Sequence, residues 1–214
     1  AEPEPFVARL MDACLILHAE HTINASTFTA MVTGSTLAHP YSVISAAIGA
    51  LSGPLHGGAN QRVLLMLDEI GSPDRVKDWL DKKLSAKEII WGMGHREYNV
   101  KDPRAVVLHD LIEKLVQHRG GKVSHYYAIA HTLEEAAKER LAAKGVYPNV
   151  DFYSGILYSE LGIPTDQFTV LFAIARTAGW LAHWCEQIAD NRIFRPTQVY
   201  TGEALREYVS LKDR

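Results

Sequence analysis

Apolar residues recur along this chain every three or four positions, and glycine and proline break the recurrence at intervals, so the pattern predicts a succession of helices. In 6–20, Phe6, Leu10, Cys14 and Leu17, with Leu15 and Ile16 beside them, describe a helix with a wide buried face that His18 and His21 end. Asn24-Ala25-Ser26-Thr27 supplies N-cap candidates for a second helix over 28–38, where Gly34 predicts close packing and His39-Pro40 a stop. The stretch 42–51 is small and apolar almost all round, as a buried helix is. Gly53-Pro54 halts it, because proline denies its predecessor the helical region.

Between that helix and the next, predicted over 59–70, lies Gly53-Pro54-Leu55-His56-Gly57-Gly58-Ala59-Asn60, a glycine-rich elbow with a histidine at its centre. A loop held at both ends aims a side chain and leaves backbone N–H groups free for a ligand. A simple solvent-facing turn reads equally well from this stretch alone. Gly71-Ser72-Pro73 then introduces a helix over 74–84. Residues 85–100 mix an apolar run with Gly92, Gly94 and dense polar chemistry, a loop signature. Asp102-Pro103-Arg104 starts a helix to about 118 with Val106, Val107, Leu111 and Leu115 inward, ended by Gly120-Gly121. Helices follow over 124–144, stopped by Gly145, and over 150–161, with Asp151 in the first turn. After a possible cap at Asp166, the most apolar long helix spans 168–188 and carries Arg176 among Phe172, Ile174, Trp180 and Leu181. Residues 201–212 form a last helix or tail. With no convincing strand alternation and no internal repeat, the fold class is all-α.

Composition narrows the function little. At 214 residues and 47% hydrophobic, the chain buries a substantial core, and a net charge of -3 argues against a general nucleic-acid or anionic-membrane binder. Cys14 and Cys185, far apart in apolar runs, match no metal or redox spacing and read as core thiols in a reducing compartment. No apolar run reaches the roughly 18 residues of a membrane span and no signal architecture opens the chain, so a soluble, cytoplasmic protein is expected. The opening Ala1-Glu2-Pro3-Glu4-Pro5 reads as a linker or a cut end, and the chain as a fragment.

The chemistry-bearing residues are ten histidines, several in glycine-bounded loops, an arginine within an apolar helix, arginines beside prolines at Arg104 and Arg195, and Asp151 at a helix start. Each alone has a structural reading, Arg176 as a buried ion pair and Asp151 as a helix-start carboxylate. Together they point to a pocket for a small polyanion. Guanidinium groups grip carboxylates, histidines donate to carbonyl or enolate oxygens, and one carboxylate serves as a general base.

The same residues carry a resemblance to the citrate synthase family, to the C-terminal part of its chain. Leu17-His18-Ala19-Glu20-His21 with Asn24-Ala25-Ser26-Thr27, the elbow 53–60, Gly92-Met93-Gly94-His95-Arg96 with Asp102-Pro103-Arg104, Pro148-Asn149-Val150-Asp151 with Ser154-Gly155, Arg176 and Arg195-Pro196 occur in family order along nearly the whole chain. The resemblance implies that His56 donates to the thioester carbonyl of acetyl-CoA while Asp151 removes a methyl proton. The resulting enol or enolate attacks oxaloacetate, whose carbonyl His95 polarises. His21, Arg104 and Arg176 hold its carboxylates, and Arg195 reaches the partner subunit's site. Hydrolysis then releases citrate and CoA. Leu55, Gly92, Gly94 and Arg96 are the implied CoA contacts, and neither a metal nor a cofactor is implied.

By the same resemblance, residues 1–56 and 158–214 belong to a large helical domain, residues 57–157 form a smaller inserted one, and Gly57-Gly58 is a flexible joint for closure. A homodimer is implied, with 28–51 as a contributor. Two positions depart from the pattern: Asn99 and Thr197 stand where relatives often carry a basic residue that serves phosphate contacts. The family carries a further segment before the first motif, so little or no synthase activity is expected of this chain alone.

Other readings stay open. Propionyl-CoA in place of acetyl-CoA gives 2-methylcitrate synthase, a choice worth only about 1–3 kcal/mol in the acyl pocket. A helical assembly module without catalysis keeps the same motifs. His109-Asp110, with His95 and Asp151, loosely resembles an HD-type metal-dependent phosphohydrolase, and His18 and His21 with Glu20 have the spacing of two metal ligands but lack a third.

Overall fold

The structure, a computed structural model, describes residues 2, 4–203 and 205–214. The opening linker expected at residues 1–5 includes Ala1 and Pro3, which lie outside the described residues. The helices are α1 (Pro5–Ala19), α2 (Ala25–Ser35), α3 (Pro40–Leu51), α4 (Ala59–Ile70), α5 (Val76–Ser85), α6 (Pro103–His118), α7 (His125–Leu141), α8 (Val150–Glu160) and α9 (Phe168–Ala189). Among the described residues there is no strand, and the all-α class stands. No helix among them is long and apolar enough to cross a membrane.

Local chemistry sets the helix ends. Side chains of Asn24, Asp102, Ser124 and Asn149 accept backbone N–H groups at the starts of α2, α6, α7 and α8, donors that no helix satisfies internally. Gly71 and Gly145 stop helices with φ of 77° and 68°, left-handed values that glycine adopts without strain.

Two apolar clusters fill the interior. The larger joins Leu10 and Cys14 of α1 to Val63 and Leu67 of α4, Leu108 and Ile112 of α6, Leu133 of α7, and Phe152 and Ile156 of α8. The smaller joins Ala30, Val43, Ala47 and Leu51 of α2 and α3 to Phe172 and Trp180 of α9. Each Val, Leu, Ile or Phe side chain removed from water in this way contributes about 1.5–3 kcal/mol, which sets how these faces orient. The helix α9 joins the clusters, since its Phe168 belongs to the first and its Trp180 to the second.

Several expectations need correction. His39-Pro40 opens α3 instead of closing α2: the His39 ring accepts the Tyr41 N–H, while α2 has already ended at Ser35 and Leu37 turns with φ of 63°. The inward face of α6 is Ala105, Leu108, Ile112 and Leu115, one residue round from Val106 and Val107, which are exposed because the 105–108–112–115 row is the one that meets the core. Asp166 lies in a short 3₁₀ turn and does not cap α9. Cys14 is buried, but Cys185 is exposed on α9. Of the two forms expected of 201–212, a helix or a tail, the described residues take the second. Gly57 has a packing role besides the joint expected of it: a Cβ there would lie 2.4 Å from the Leu51 carbonyl oxygen, so glycine is needed for close approach.

The tightest approach of this kind is between α1 and α9, where a Cβ on Gly179 would lie 2.3 Å from the Ala19 carbonyl oxygen. Gly179→Ala forces these backbones apart, and we expect a loss of about 1–3 kcal/mol in stability. Thermal unfolding of the folded variant checks this, and an unchanged Tm contradicts the packing described.

Candidate active site

Four segments converge on a cleft of about 970 Å³: residues 21–25 ahead of α2, the elbow around His56, the loop 89–97, and Asn149 with Asp151 at the start of α8. The elbow is held by its own backbone, with the His56 N–H donating to Gly53 O (2.9 Å) and the Gly57 N–H to Leu51 O (2.9 Å). Thr169 of α9 donates its hydroxyl to Gly57 O (2.9 Å), which ties the elbow to α9.

The loop carrying His95 lies on α8 because Gly92, at φ 76°, has no side chain: a Cβ would meet Phe152 Cα at 2.9 Å. Asn149 stitches the two together, its N–H donating to Gly92 O (2.8 Å) and its side-chain amide to Gly94 O (2.8 Å). The Gly94 N–H donates to Tyr147 O (2.7 Å). His95 and Asp151 are thereby fixed relative to each other.

Hydrogen bonds also assign the ring protons. The Ser26 N–H donates to His56 Nε2 (3.3 Å), which assigns Nε2 as the acceptor and the proton to Nδ1, while Ser26 Oγ lies 2.8 Å from the same nitrogen and 2.9 Å from Asn24 Oδ1. Trp180 Nε1 in turn donates to Ser26 Oγ (3.1 Å) and fixes that hydroxyl. The Glu97 N–H donates to His95 Nδ1 (3.0 Å), leaving the His95 proton on Nε2. His21 Nε2 pairs with Tyr98 Oη (2.9 Å), and its ring meets that of His95 edge-on at 4.9 Å. Burial first, and then the positive field of the arginines, pull all three histidines below their ordinary pKa, so they are neutral at pH 7.

The arginines approach from beneath. Arg104 Nη2 comes within 3.5 Å of His95 Nε2 while its Nε and Nη2 donate to both oxygens of the buried Asp102 (3.1 and 2.8 Å). Arg176 is 2% exposed. Its Nε donates to His18 O (2.6 Å) and its guanidinium lies 4.8 Å over the Phe172 ring, answers that a buried cation needs. Desolvation pushes the Asp151 carboxyl up to about 6, against the opposing pull of Arg104 and Arg176.

The cleft thus brings together His21, His56, His95 and Asp151, with Leu55, Gly92 and Arg96 on its lining. Arg104 joins through His95, whereas Arg176 lies below, bonded to the residue 18 carbonyl. Gly94 spends its N–H and C=O on the supporting wall. Arg195, exposed beyond α9, donates to Pro196 O and stays outside this cleft. His109 lies elsewhere, bonded to Tyr127 Oη (3.1 Å), with Asp110 3.8 Å away. Among the described residues, no group of three or more His, Cys, Asp or Glu side chains is placed to hold a metal ion.

Sequence reasoning missed four contributors. Ser26 and Asp102 sat in helix-start motifs that disguised what else they bond. Tyr98 was noticed only as part of a motif, and His18 as a helix end. His18 is fully buried, donates Nδ1–H to Cys14 O (2.8 Å), and desolvation lowers its pKa to about 4.

A sequence model described as "Citrate synthase, C-terminal domain" matches residues 1–197. Citrate synthase of Acidithiobacillus ferridurans is 59% identical over 213 residues, covering 100% of this chain and 55% of that protein. That of Synechocystis sp. is 56% identical, covering 100% of this chain and 53% of that protein. Among solved structures, the crystal structure of citrate synthase from Thermotoga maritima MSB8 matches with a TM-score of 0.87 at 46% identity, over 100% of this chain and 57% of that one. The structure of the ternary complex of carboxymethyl coenzyme A and oxaloacetate with citrate synthase from the archaeon Thermoplasma acidophilum matches with a TM-score of 0.90 at 39% identity, over 100% of this chain and 57% of that one. The chain spans about half the length of the curated relatives it matches. On the match to the family model over residues 1–197 and the identity to these relatives, the chain belongs to the citrate synthase family.

Proposed function

We propose that this chain carries the condensation site of a citrate synthase, which joins acetyl-CoA to oxaloacetate and releases citrate and CoA. The observation that carries the reading is the meeting of Asp151, His56 and His95 in one cleft with the ring protons already assigned. Asp151 removes a methyl proton from the thioester. That proton is very weakly acidic, so removal needs stabilisation of the developing oxyanion at the same moment, and His56 Nδ1–H donates to it. The carbon nucleophile attacks the keto carbon of oxaloacetate while His95 Nε2–H polarises the keto oxygen and protonates it as the C–C bond forms. Water then cleaves the citryl thioester. Every step uses hydrogen bonds and proton transfer, with no metal or cofactor.

His21, Arg104 and Arg176 hold the oxaloacetate carboxylates, and placing two reactants in attack geometry supplies roughly 7–11 kcal/mol of a barrier. Leu55, Gly92 and Arg96 contact CoA, and Gly94, implied as a fourth contact, instead holds the loop to the wall behind them. We assign residues 1–56 and 158–214 to a large domain and 57–157 to a small one, with the cleft at their junction. Closure there excludes water before enolisation. The complex of the Thermoplasma acidophilum relative with an oxaloacetate ligand and a coenzyme A derivative supports the choice of substrates.

The protein assembles as a homodimer in which Arg195 enters the partner's site. Phe28, Leu37, Tyr41 and Ile48 on and beside α2 and α3 leave apolar surface exposed at 52%, 72%, 81% and 45%, which supports a second copy as its cover. Sedimentation at micromolar concentration is expected to give a dimer mass, and a monomer of unchanged fold argues against this assembly.

Calorimetric titration with oxaloacetate tests the substrate assignment. Binding is expected in the wild-type chain and should be lost in a folded Arg176→Ala variant, since a hydrogen bond to a charged group contributes about 1.5–3 kcal/mol. Equal binding by both proteins refutes the assignment.

The pH dependence follows from Asp151, whose carboxyl is raised to about 6 and acts only when ionised. In a full-length protein containing this chain, kcat/KM is expected to fall as pH drops through about 6. A profile flat from pH 8 to pH 5 contradicts Asp151 as the base.

A further inference from the structure

Asp102 is only 1% exposed, yet it makes more of the site's polar contacts than any residue that lines the cleft. Its Oδ1 accepts the Arg104 backbone N–H (2.9 Å) and Arg104 Nε (3.1 Å). Its Oδ2 accepts Arg104 Nη2 (2.8 Å) and the Val150 backbone N–H (3.2 Å). One carboxylate thus caps α6, grips the guanidinium at the start of that helix, and reaches the first residue of α8, next to Asp151. A helix cap needs only the first of these bonds.

We propose that Asp102 is a positioning residue of this site: it aims Arg104 at the bound dicarboxylate, ties Arg104 to the helix that carries Asp151, and balances the positive charge around that base. The proposal rests on the condensation reading for the identity of the dicarboxylate, but its geometry does not. Two arginines near a carboxylate favour the ionised form and weaken it as a base. The charged groups that bear on Asp151 are Arg104 and Asp102 from the start of α6 and Arg176 from α9. His56, His95 and His21 of the cleft and His18 on α1 are neutral. Tyr158, two turns along α8, is held un-ionised by burial. Asp102 is therefore the anion that offsets Arg104. Although burial alone would raise the Asp102 carboxyl, the Arg104 hydrogen bonds and charge outweigh it and hold it below its ordinary value, so the anion is present throughout the working range.

The pairing also dictates how Arg104 meets substrate. With Nε and one Nη2 proton committed to Asp102, the guanidinium offers its Nη1 side and the outer Nη2 proton. That is the edge next to His95 Nε2, the donor assigned to the keto oxygen. Asparagine cannot replace the carboxylate. Its oxygen can serve the Oδ1 partners, but its NH₂ then faces two further donors, Arg104 Nη2 and the Val150 N–H, and repels both.

The test uses the chain labelled with [13Cγ]aspartate, in which the resonance lost in Asp151→Asn identifies Asp151. The Asp151 titration midpoint is expected to fall in Asp102→Asn, toward the ordinary aspartate value of about 4, because Arg104 is left unbalanced. It should rise in Arg104→Met, where Asp102 is left unbalanced, and return close to wild type when both substitutions are combined. In parallel, Asp102→Asn should weaken calorimetric oxaloacetate binding about 10- to 100-fold, the loss of a charge-assisted contact at tenfold per 1.4 kcal/mol. A role confined to capping α6 lowers Tm but moves no midpoint. An Asp151 midpoint unchanged in the single variants overturns the proposal, as does undiminished oxaloacetate binding by Asp102→Asn. If Asp102→Asn does not fold, Arg104→Met and the double variant decide by the same signs. A wild-type chain that fails to bind oxaloacetate tells against the condensation reading, while the titrations still decide the role of Asp102.

Discussion

Two guanidinium groups and a carboxylate lie behind the wall of one cleft that a second carboxylate, Asp151, lines, and the structure around them answers the desolvation of those charges. An unpaired ion taken from water into a protein interior costs several kcal/mol, so each must find compensation before any ligand arrives. Arg176 finds it in the His18 carbonyl and the Phe172 face, and Arg104 in both oxygens of Asp102. Those requirements explain why α1, α6, α8 and α9 meet here. The His18 carbonyl belongs to the last turn of α1, and Gly179 lets that turn approach the α9 backbone closely.

The histidines follow the opposite rule. A ring that works as a neutral donor must keep one nitrogen occupied as an acceptor, and the chain uses its own backbone N–H groups for this, Ser26 for His56 and Glu97 for His95. The arginines beneath reinforce neutrality, because their field disfavours imidazolium. Cationic guanidinium groups and neutral imidazoles therefore coexist within one site.

Much of this was legible in the sequence where a residue's role is local. Gly71 and Gly145 end their helices as read, Gly34 packs so closely that a Cβ would meet the Trp184 ring at 2.7 Å, and the motif order brings His21, His56, His95 and Asp151 to one cleft. What stayed hidden depends on contacts between distant segments. The Oδ2 bond of Asp102 spans 48 positions to Val150, and no local pattern reports it. The inward face of α6 differs from the expected one by a single residue, because a helix with apolar residues at 105–108 and 111–112 offers two candidate faces and only packing chooses between them. Nor does the sequence report that the Leu51 carbonyl packs against Gly57.

The central claim is that this cleft places a dicarboxylate against His95 with Asp151 and His56 facing its reacting carbon. A crystal structure of the chain with oxaloacetate tests it most directly. The account predicts the keto oxygen within hydrogen-bond distance of His95 Nε2 and the carboxylates against Arg104, Arg176 and His21. Oxaloacetate seated away from His95, with Arg104 and Arg176 bonded only to protein, would contradict it.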